Sequence, residues 1–231
     1  MAFRAPIGKL VSQARGFLFY PYCVACERRL GEEEKLVCEA CWERLPRAAP
    51  QWAEGEELQR LYPGSFLSAR FSLWEYSPEV ERLVHLMKYE RRPVLAHIMG
   101  QKVGILCASF LGSAEAGIVI PIPLHRARLR ERGYNQSEIL SRAISQETGW
   151  PVVKDALVRA RPTRVQARLS REERLANVRG AFAVRREEAL RGRTCLLVDD
   201  VVTTGSTANE CARILLEAGA TEVILVTVAA A

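Results

Sequence analysis

Residues 194–207 read TCLLVDDVVTTGST, an apolar run followed by two carboxylates and then by a loop of hydroxyl groups and one glycine. The run Leu196–Val198 is typical of a strand buried on both faces of a parallel sheet, and residues 208–218 have the pattern of a helix. A strand, loop and helix in this order bring backbone N–H groups and the positive end of a helix dipole to one point. The segment therefore predicts an anion-binding site in an α/β protein.

The side chains of this segment suit a sugar phosphate. Gly205 lets the backbone approach phosphate oxygens closely, and the carboxylates of Asp199 and Asp200 suit sugar hydroxyls or a Mg²⁺ ion, which takes oxygen ligands. Hydroxyl groups can donate hydrogen bonds to the same phosphate oxygens. These hydroxyls belong to Thr203, Thr204, Ser206 and Thr207. A phosphate with vicinal hydroxyls beside it would use both kinds of group.

Residues 198–207 resemble the signature for phosphoribosyl diphosphate (PRPP) in the type I phosphoribosyltransferases. In that family two acidic residues contact the 2′- and 3′-hydroxyls of the ribose, and the loop after them holds the 5′-phosphate. The resemblance gives the first role to Asp199 and Asp200. It implies a PRPP-binding loop made of Val201, Thr203, Thr204, Gly205, Ser206 and Thr207, and a Mg²⁺ ion bound together with PRPP.

Four of the seven cysteines form two C-x2-C pairs, Cys23 with Cys26 and Cys38 with Cys41. Two thiolate pairs at this spacing can close on one tetrahedral metal ion, for which Zn²⁺ is the expected ion. Disulfide bonds are the alternative. Four thiolates leave no open position for water, so the predicted site is structural rather than catalytic. A module of this size buries little core, and zinc would supply folding free energy on the order of 10 kcal/mol.

The positive charge is uneven along the chain. Residues 1–60 have a net charge of zero, whereas residues 82–135 carry +6 and residues 154–193 carry +7. Such blocks suit a polyanionic ligand, a diphosphate or a nucleic-acid backbone, although a solvated basic surface has the same composition. No apolar run has the length needed to cross a bilayer and no signal peptide is recognised, so a cytoplasmic protein is expected.

The order of apolar runs predicts two domains. Residues 1–60 are expected to hold an N-terminal helix and the four-cysteine zinc-ribbon module, and residues 61–231 a phosphoribosyltransferase-like domain with a parallel α/β sheet. The segment Pro46–Gly64 is expected to be a linker or a short connecting helix. Residues 117–124 predict a buried strand followed by a loop of cations over residues 125–132.

The complete order of motifs is similar to that of the ComF family of phosphoribosyltransferase-like proteins. The motifs are the four-cysteine module, Lys88-Tyr89, PIPL at 121–124, RGYNQ at 132–136 and the PRPP-like segment. The resemblance covers most of residues 20–230. It implies an association with DNA uptake in naturally competent bacteria, and a phosphoribosyl transfer to a nitrogen nucleophile that the sequence does not name.

The same resemblance implies roles for several cations. Arg128 and Arg132 would lie near the diphosphate of PRPP, with Arg132 acting in catalysis beside Asp199 and Asp200. Lys88 is a further candidate, although a lysine on a helix face is usually solvated. Residues 159–179 resemble a mobile loop that closes over PRPP, with Arg168, Arg171 and Arg174 as its candidate ligands.

The sequence is therefore compatible with two functions. The first is a phosphoribosyltransferase that binds PRPP with Mg²⁺. The alternative is a competence factor that binds single-stranded DNA and other competence proteins, and that keeps the PRPP pocket as a sensor or a relic.

Overall fold

The computed structural model of the protein describes residues 22–90, 92–111, 117–161, 173 and 177–231. The helix expected over residues 1–20 and the loop arginines 168, 171 and 174 lie outside these residues. Contacts divide the chain into two compact units, Met1–Leu45 and Pro46–Ala231. We call them the four-cysteine unit and the sheet unit. The domain boundary expected between residues 60 and 61 stays a prediction.

The described part of the four-cysteine unit contains short bridges and the helix α1 (Glu39–Arg44). One carboxylate organises the turn between its two cysteine pairs. Glu34 accepts hydrogen bonds from the backbone N–H groups of Gly31 at 2.7 Å and Glu39 at 2.9 Å. Its Oε1 also accepts from the guanidinium of Arg28 at 2.6 Å. Glu34 therefore stabilises the turn between the cysteine pairs and also caps the start of α1.

The described part of the sheet unit contains seven strands: β1 (Trp52–Glu54), β2 (Ala69–Glu75), β3 (Ile118–Pro121), β4 (Leu157–Arg159), β5 (Phe182–Val184), β6 (Thr194–Val202) and β7 (Glu222–Ala230). Five of them form one sheet in the order β1–β2–β7–β6–β3, and β4 pairs with β5 in a separate antiparallel ribbon. Strands β2, β7, β6 and β3 run parallel, whereas β1 adds an antiparallel edge. The predicted α/β class with a parallel sheet is confirmed.

The described helices of this unit are α2 (Gly55–Leu61), α3 (Pro78–Tyr89), α4 (Pro93–Leu111), α5 (Arg126–Arg132), α6 (Gln136–Thr148), α7 (Glu187–Leu190) and α8 (Ser206–Glu217). Helices α4 and α6 pack on one face of the sheet, and α8 packs on β6 and β7. Leu58 of α2 and Leu215 of α8 belong to one buried cluster with Leu197 and Leu225 of the sheet. The two faces of β6 are therefore both covered, as its apolar run predicts.

Two glycines bring α4 close to α6. A Cβ atom on Gly100 would lie 2.8 Å from the Cβ of Ala143, and one on Gly104 would lie 2.9 Å from the Cγ of Glu147. Distances this short are below van der Waals contact, so larger residues at these positions would push the helices apart. The spacing of α4 and α6 therefore depends on the absence of two side chains.

Among the described residues, α4 is the one helix whose length and composition would let it cross a membrane. This corrects the expectation that no apolar run reaches that length. Leu95, Met99, Val103 and Cys107 of α4 are completely buried within the sheet unit, and the helix packs on α6, β2 and β7. This packing accounts for part of its apolar composition, whereas Val94, Ile105 and Phe110 of the same helix are exposed.

One local prediction was wrong, and another was confirmed in part. The cation-rich residues 125–132 form the helix α5 rather than a loop; His125 caps its start, and Gly133 ends it with a φ of 84°. The segment 46–64, expected to be a linker or a short connecting helix, contains the short helix α2 and also the strand β1. Val152 makes a single bridge to Val119.

Candidate functional site

The candidate site lies at the carboxyl end of β6, where ligands bind in open parallel sheets. The strand continues to Val202, beyond the point after Asp199 where the apolar pattern predicts its end. Both acids therefore belong to the strand. Because successive side chains of a strand point to opposite faces, Asp199 shares a face with its register partner Thr227 of β7 and with Leu225, whereas Asp200 lies on the face of α6.

Asp199 lines a pocket of about 80 Å³, which we call the loop pocket. The loop between β6 and α8 forms most of its wall. Its other lining residues are Val201, Val202, Thr203, Thr204, Gly205, Ser206, Thr207, Ala208, Leu225 and Thr227. The pocket brings together Asp199, Val201 and residues 203–207 of the predicted PRPP-binding set.

The loop is held in shape by Gly205, Tyr62 and a pair of hydroxyls. Gly205 has a φ of 71°, and a Cβ atom there would lie 2.8 Å from the ring of Tyr62. Only glycine meets both conditions without strain. The hydroxyls of Thr204 and Ser206 lie 2.8 Å apart at the start of α8. Ser206, Thr207 and Ala208, the first residues of α8, line the pocket, so the positive end of this helix faces it.

Asp199 keeps one carboxylate oxygen for the pocket. Its Oδ1 accepts hydrogen bonds from the hydroxyl of Ser137 at 3.1 Å and from the backbone N–H of Asp200 at 2.9 Å. Burial, together with the neighbouring charge of Asp200, raises the pKa of Asp199 to about 7 from the ordinary value of 3.8. The side chain is therefore poised between its acid and its carboxylate near neutral pH.

Asp200 is differently placed and does not line the loop pocket. It is 4 % exposed, and its Oδ1 lies 2.7 Å from the ammonium nitrogen of Lys88. Its Oδ2 accepts a hydrogen bond from the amide nitrogen of Gln136, also at 2.7 Å. Both oxygens of Asp200 are therefore engaged inside the protein.

The Asp200 carboxylate is the centre of a network that joins three motifs. Arg132 donates a hydrogen bond to the side-chain oxygen of Gln136, the residue that bonds Asp200. The Arg132 guanidinium lies 5.3 Å from the ring centroid of Tyr89, a cation–π contact. The hydroxyl of Tyr134 donates to a backbone carbonyl of α3, that of Met87. The KY and RGYNQ motifs are thus bound to each other and to β6.

A second cavity, of about 110 Å³, lies on this side of Asp200 and is lined by Lys88, Tyr89, Arg128, Glu131 and Arg132. We call it the cation cavity. Arg128 is exposed, whereas Arg132 is buried. The two arginines predicted near the diphosphate therefore lie together, but not in the loop pocket that holds Asp199.

Sequence reasoning gave no role to Gln136 or Ser137 and undervalued Lys88. A signal for Lys88 does exist, because it follows the buried residues Val80 and Val84 at intervals of four along α3. A lysine on an apolar face is expected to find a buried partner. Gln136 and Ser137 carry no comparable signal, since their partners are distant in the sequence.

The four cysteine sulfurs of the first unit also form a cluster. They lie within 4.8 Å of one another, with 3.8 Å between the Sγ atoms of Cys23 and Cys41 and 3.7 Å between those of Cys26 and Cys38. Ligands of a tetrahedral zinc–thiolate site at 2.3 Å would be about 3.8 Å apart. All four cysteines have free thiols, so the disulfide alternative is not the arrangement found.

Comparison with known proteins defines the class first. Residues 109–231 match the family described as "Phosphoribosyl transferase domain". The sheet unit therefore carries such a domain. The solved structure titled "structure of the allosteric regulatory enzyme of purine biosynthesis" is similar over 62 % of this chain and 29 % of that chain, with 22 % identity and a TM-score of 0.40.

Relatives of known sequence then give the family. The "DNA utilization protein YhgH" of Salmonella typhimurium is 34 % identical over 205 residues, which are 87 % of this chain and 86 % of that protein. "Competence protein F" of Haemophilus influenzae is 39 % identical over 107 residues, 46 % of each chain. "Competence protein ComFC" of Bacillus subtilis is 31 % identical over 102 residues, 44 % of this chain and 39 % of that protein. This chain belongs to the ComF family of proteins with a phosphoribosyl transferase domain.

Proposed function

We propose that this protein binds PRPP with Mg²⁺ and transfers its phosphoribosyl group to a nitrogen nucleophile. The observation that carries the proposal is the loop pocket. Its helix N-terminus, hydroxyl loop and glycine suit the 5′-phosphate, and the open oxygen of Asp199 suits a ribose hydroxyl beside it. Membership of a family with a phosphoribosyl transferase domain supports the same ligand.

The proposed reaction replaces one bond at the anomeric carbon of the ribose. The bond to the diphosphate oxygen breaks, the diphosphate leaves with the electron pair, and a bond to nitrogen forms. Positive charge develops on the sugar, and the carboxylate of Asp199 would offset it. Mg²⁺, when bound with PRPP, supplies charge neutralisation to the departing diphosphate. The cations of the cation cavity would serve the same end.

We also propose that the four-cysteine unit binds one structural Zn²⁺. The sulfur separations are those of a tetrahedral thiolate site. Backbone N–H groups of Ala25 and Cys38 donate to the Sγ of Cys23, each at 3.4 Å. Such bonds stabilise a thiolate and orient it as a ligand.

The second candidate function, binding of single-stranded DNA, is favoured by a different observation. Tyr89 is 58 % exposed beside the guanidinium of Arg132. An exposed aromatic ring among cations is the arrangement that stacks a base and holds its backbone. The name "DNA utilization protein" of the relatives supports this context. In this account the loop pocket would be a sensor rather than a catalytic site.

Isothermal titration calorimetry on the full chain tests both functions. PRPP with Mg²⁺ and a single-stranded oligonucleotide are titrated into the wild type, Asp199→Ala and Asp155→Ala. Asp155 is an exposed carboxylate paired with Arg186 and serves as the matched control. PRPP binding is expected in the wild type and in the control, and to be lost in Asp199→Ala. Wild-type protein that binds no PRPP would refute the proposal.

Turnover is a separate measurement. Pyrophosphate release from PRPP is followed with ammonia and with each nucleobase as the acceptor. An acceptor-dependent rate that disappears in Asp199→Ala would support transfer. Tight PRPP binding with no release for any acceptor would favour the sensor function, and DNA affinity should then fall steeply with added salt.

A further inference from the structure

Lys88 is a largely buried cation whose position is fixed by an ion pair with β6. It lies on the apolar face of α3, whose neighbours Val84 and Met87 are buried. Its side chain is 22 % exposed, and its ammonium nitrogen lies 2.7 Å from Asp200. Burial lowers the pKa of Lys88, but the carboxylates of Asp200 and Asp199 more than offset this and hold the pKa above its ordinary value. The ammonium group is therefore charged near neutral pH.

The ion pair between Lys88 and Asp200 determines where the other N–H donors of Lys88 can point. An ammonium group has three N–H donors, and Asp200 takes at most one or two of them. The side chain also lines the cation cavity with Arg128 and Arg132. The surface that Lys88 keeps open thus faces the cations that the sequence predicts near a diphosphate.

The other charged groups around the cavity are accounted for. Arg132 bonds Gln136 and stacks over Tyr89, which fixes its guanidinium. Arg128 is exposed and Glu131 is the single carboxylate among the described lining residues. The cavity therefore carries three cations and one anion, and Lys88 is the cation whose position is set by β6.

Asp200 is poorly placed to bind a sugar in this arrangement, because it is 4 % exposed and does not line the loop pocket. Its Oδ1 is engaged by Lys88 and its Oδ2 by Gln136. Asp199, one residue earlier on the opposite face of β6, has an oxygen open to the loop pocket. The two acids therefore divide their work between the loop pocket and the cation cavity.

From these contacts we infer that Lys88 binds the diphosphate of PRPP in the cation cavity, and that Asp200 is a positioning residue that aims Lys88 rather than a ribose ligand. The inference rests on the proposed function and assigns one end of that ligand. PRPP carries anionic groups at both ends of its ribose. Those ends match the loop pocket and the cation cavity, which lie on the two sides of the Asp199–Asp200 pair.

Three ligands separate the two ends of PRPP in a calorimetric test with Mg²⁺ present. Ribose 5-phosphate reports the loop pocket alone, pyrophosphate reports the cation cavity alone, and PRPP reports both. The variants are Lys88→Gln, Lys88→Arg and Asp200→Asn. Lys154→Gln, at an exposed lysine, is the matched control. Circular dichroism and thermal unfolding check that each variant folds.

Lys88→Gln is expected to weaken PRPP and pyrophosphate by about ten- to a hundredfold, the effect of losing a charge-assisted hydrogen bond, and to leave ribose 5-phosphate unchanged. Lys88→Arg keeps the charge and should retain most of the affinity. Asp200→Asn should follow the pattern of Lys88→Gln with a smaller loss. Lys154→Gln should match the wild type for all three ligands.

Three results would overturn the inference. An unchanged affinity ratio of PRPP to ribose 5-phosphate in Lys88→Gln would reject Lys88 and leave the proposed function standing. Equal losses of PRPP and ribose 5-phosphate in Asp200→Asn would make Asp200 a sugar ligand. Wild-type protein that binds neither sugar phosphate would reject the proposed function, and the inference with it.

Removing one partner of a buried ion pair can unfold a protein. If a single variant does not fold, the double variant Lys88→Gln/Asp200→Asn replaces the ion pair by two amides that can bond each other. It should lose pyrophosphate binding and keep ribose 5-phosphate. Retained pyrophosphate binding in the double variant would refute the role of Lys88.

Discussion

The four-cysteine unit and the sheet unit assemble their polar sites over different lengths of chain. Cys23 and Cys41, the outermost members of the cysteine cluster, are 18 positions apart, so one short segment contains the whole site. In the sheet unit, Lys88 of α3, Gln136 of α6 and Asp200 of β6 come from three separate elements. The first site follows from local spacing, whereas the second exists only once the sheet and its helices have packed.

The two units also differ in what holds them together. The buried apolar residues in the described part of the four-cysteine unit are few and include Val37 and Trp42. The sheet unit buries apolar side chains on both faces of its sheet. We therefore expect metal to stabilise the first unit, and the hydrophobic effect to stabilise the second. Single substitutions in each unit test this contrast.

Loss of a cysteine ligand should affect one unit alone. Cys38→Ser is expected to release the proposed zinc and to unfold the four-cysteine unit, because metal binding contributes on the order of 10 kcal/mol in such sites. Zinc content and amide hydrogen exchange measure the two effects. Cys107→Ser, at a buried cysteine of α4, should keep its zinc. Full zinc occupancy in Cys38→Ser would contradict the assignment.

Gly205→Ala should be the most harmful single methyl group in the loop pocket. Its backbone φ is 71° and the new Cβ would lie 2.8 Å from Tyr62, so we expect a loss of about 2–4 kcal/mol in the free energy of unfolding. Gly192→Ala has a φ of 68° and open space around it. Its loss should be about 1 kcal/mol. Equal losses in the two variants would remove the steric role of Tyr62.

Asp199→Asn should stabilise the sheet unit in a pH-dependent way. The pKa of Asp199 is about 7 in the folded protein and 3.8 in the unfolded chain. Below pH 3.8 both states hold the proton; between the two values only the folded state does, and stability is lost as the pH rises. Chemical denaturation at pH 8 should find Asp199→Asn more stable than wild type by about 2–4 kcal/mol. The difference should disappear toward pH 4.

The exposed Asp155 is a control for which the pH dependence of stability has the opposite sign. A hydrogen bond from Arg186 lowers the pKa of Asp155, so its contribution is present above the unfolded pKa and is lost as the pH falls. Asp155→Asn should therefore not gain stability at pH 8. A gain as large as that of Asp199→Asn would show that net charge, and not burial at the site, is responsible.

Asn209→Ala should have the smallest effect. The Oδ1 of Asn209 accepts from the backbone N–H of Phe66 at 2.6 Å and from the hydroxyl of Ser65 at 3.3 Å. Loss of these bonds should cost about 1 kcal/mol in the free energy of unfolding. Asn209→Asp keeps the acceptor and should cost less. The idea is wrong if the two variants are equally destabilised.

The elements that carry their own signals were predictable. The apolar run before Asp199, the hydroxyl loop and the helix after it gave β6, the loop pocket and α8. Ser77 and Pro78 mark the start of α3 in the sequence, and the Ser77 hydroxyl accepts from the backbone N–H of Val80 in the structure. The cysteine spacing predicted the sulfur cluster for the same reason, since every determinant is local.

The remaining elements depend on partners elsewhere in the chain. Strand β1 has three residues, too few for an alternating pattern, and exists because Ala53 pairs with Arg70 of β2. Helix α5 has local signals, but its many arginines resemble a solvated loop. The division of labour between Asp199 and Asp200 follows from strand alternation, which becomes informative only when the strand is known to continue to Val202.

Gly100 and Gly104 of α4 affect the candidate site, although neither residue lies in it. They let α4 approach α6, and the first turn of α6 carries the Gln136 amide and the Ser137 hydroxyl that grip the two aspartates. In a lipid bilayer, a pair of glycines four residues apart in an apolar helix would stabilise the close packing of two membrane-spanning helices. Here the two glycines set the distance between α4 and α6. A methyl group at either position would widen that distance and move the Gln136 amide and the Ser137 hydroxyl away from the carboxylates that they bond. Substitutions at Gly100 and Gly104 would therefore change the hydrogen bonding of Asp199 and Asp200 while every residue that lines the loop pocket stays the same.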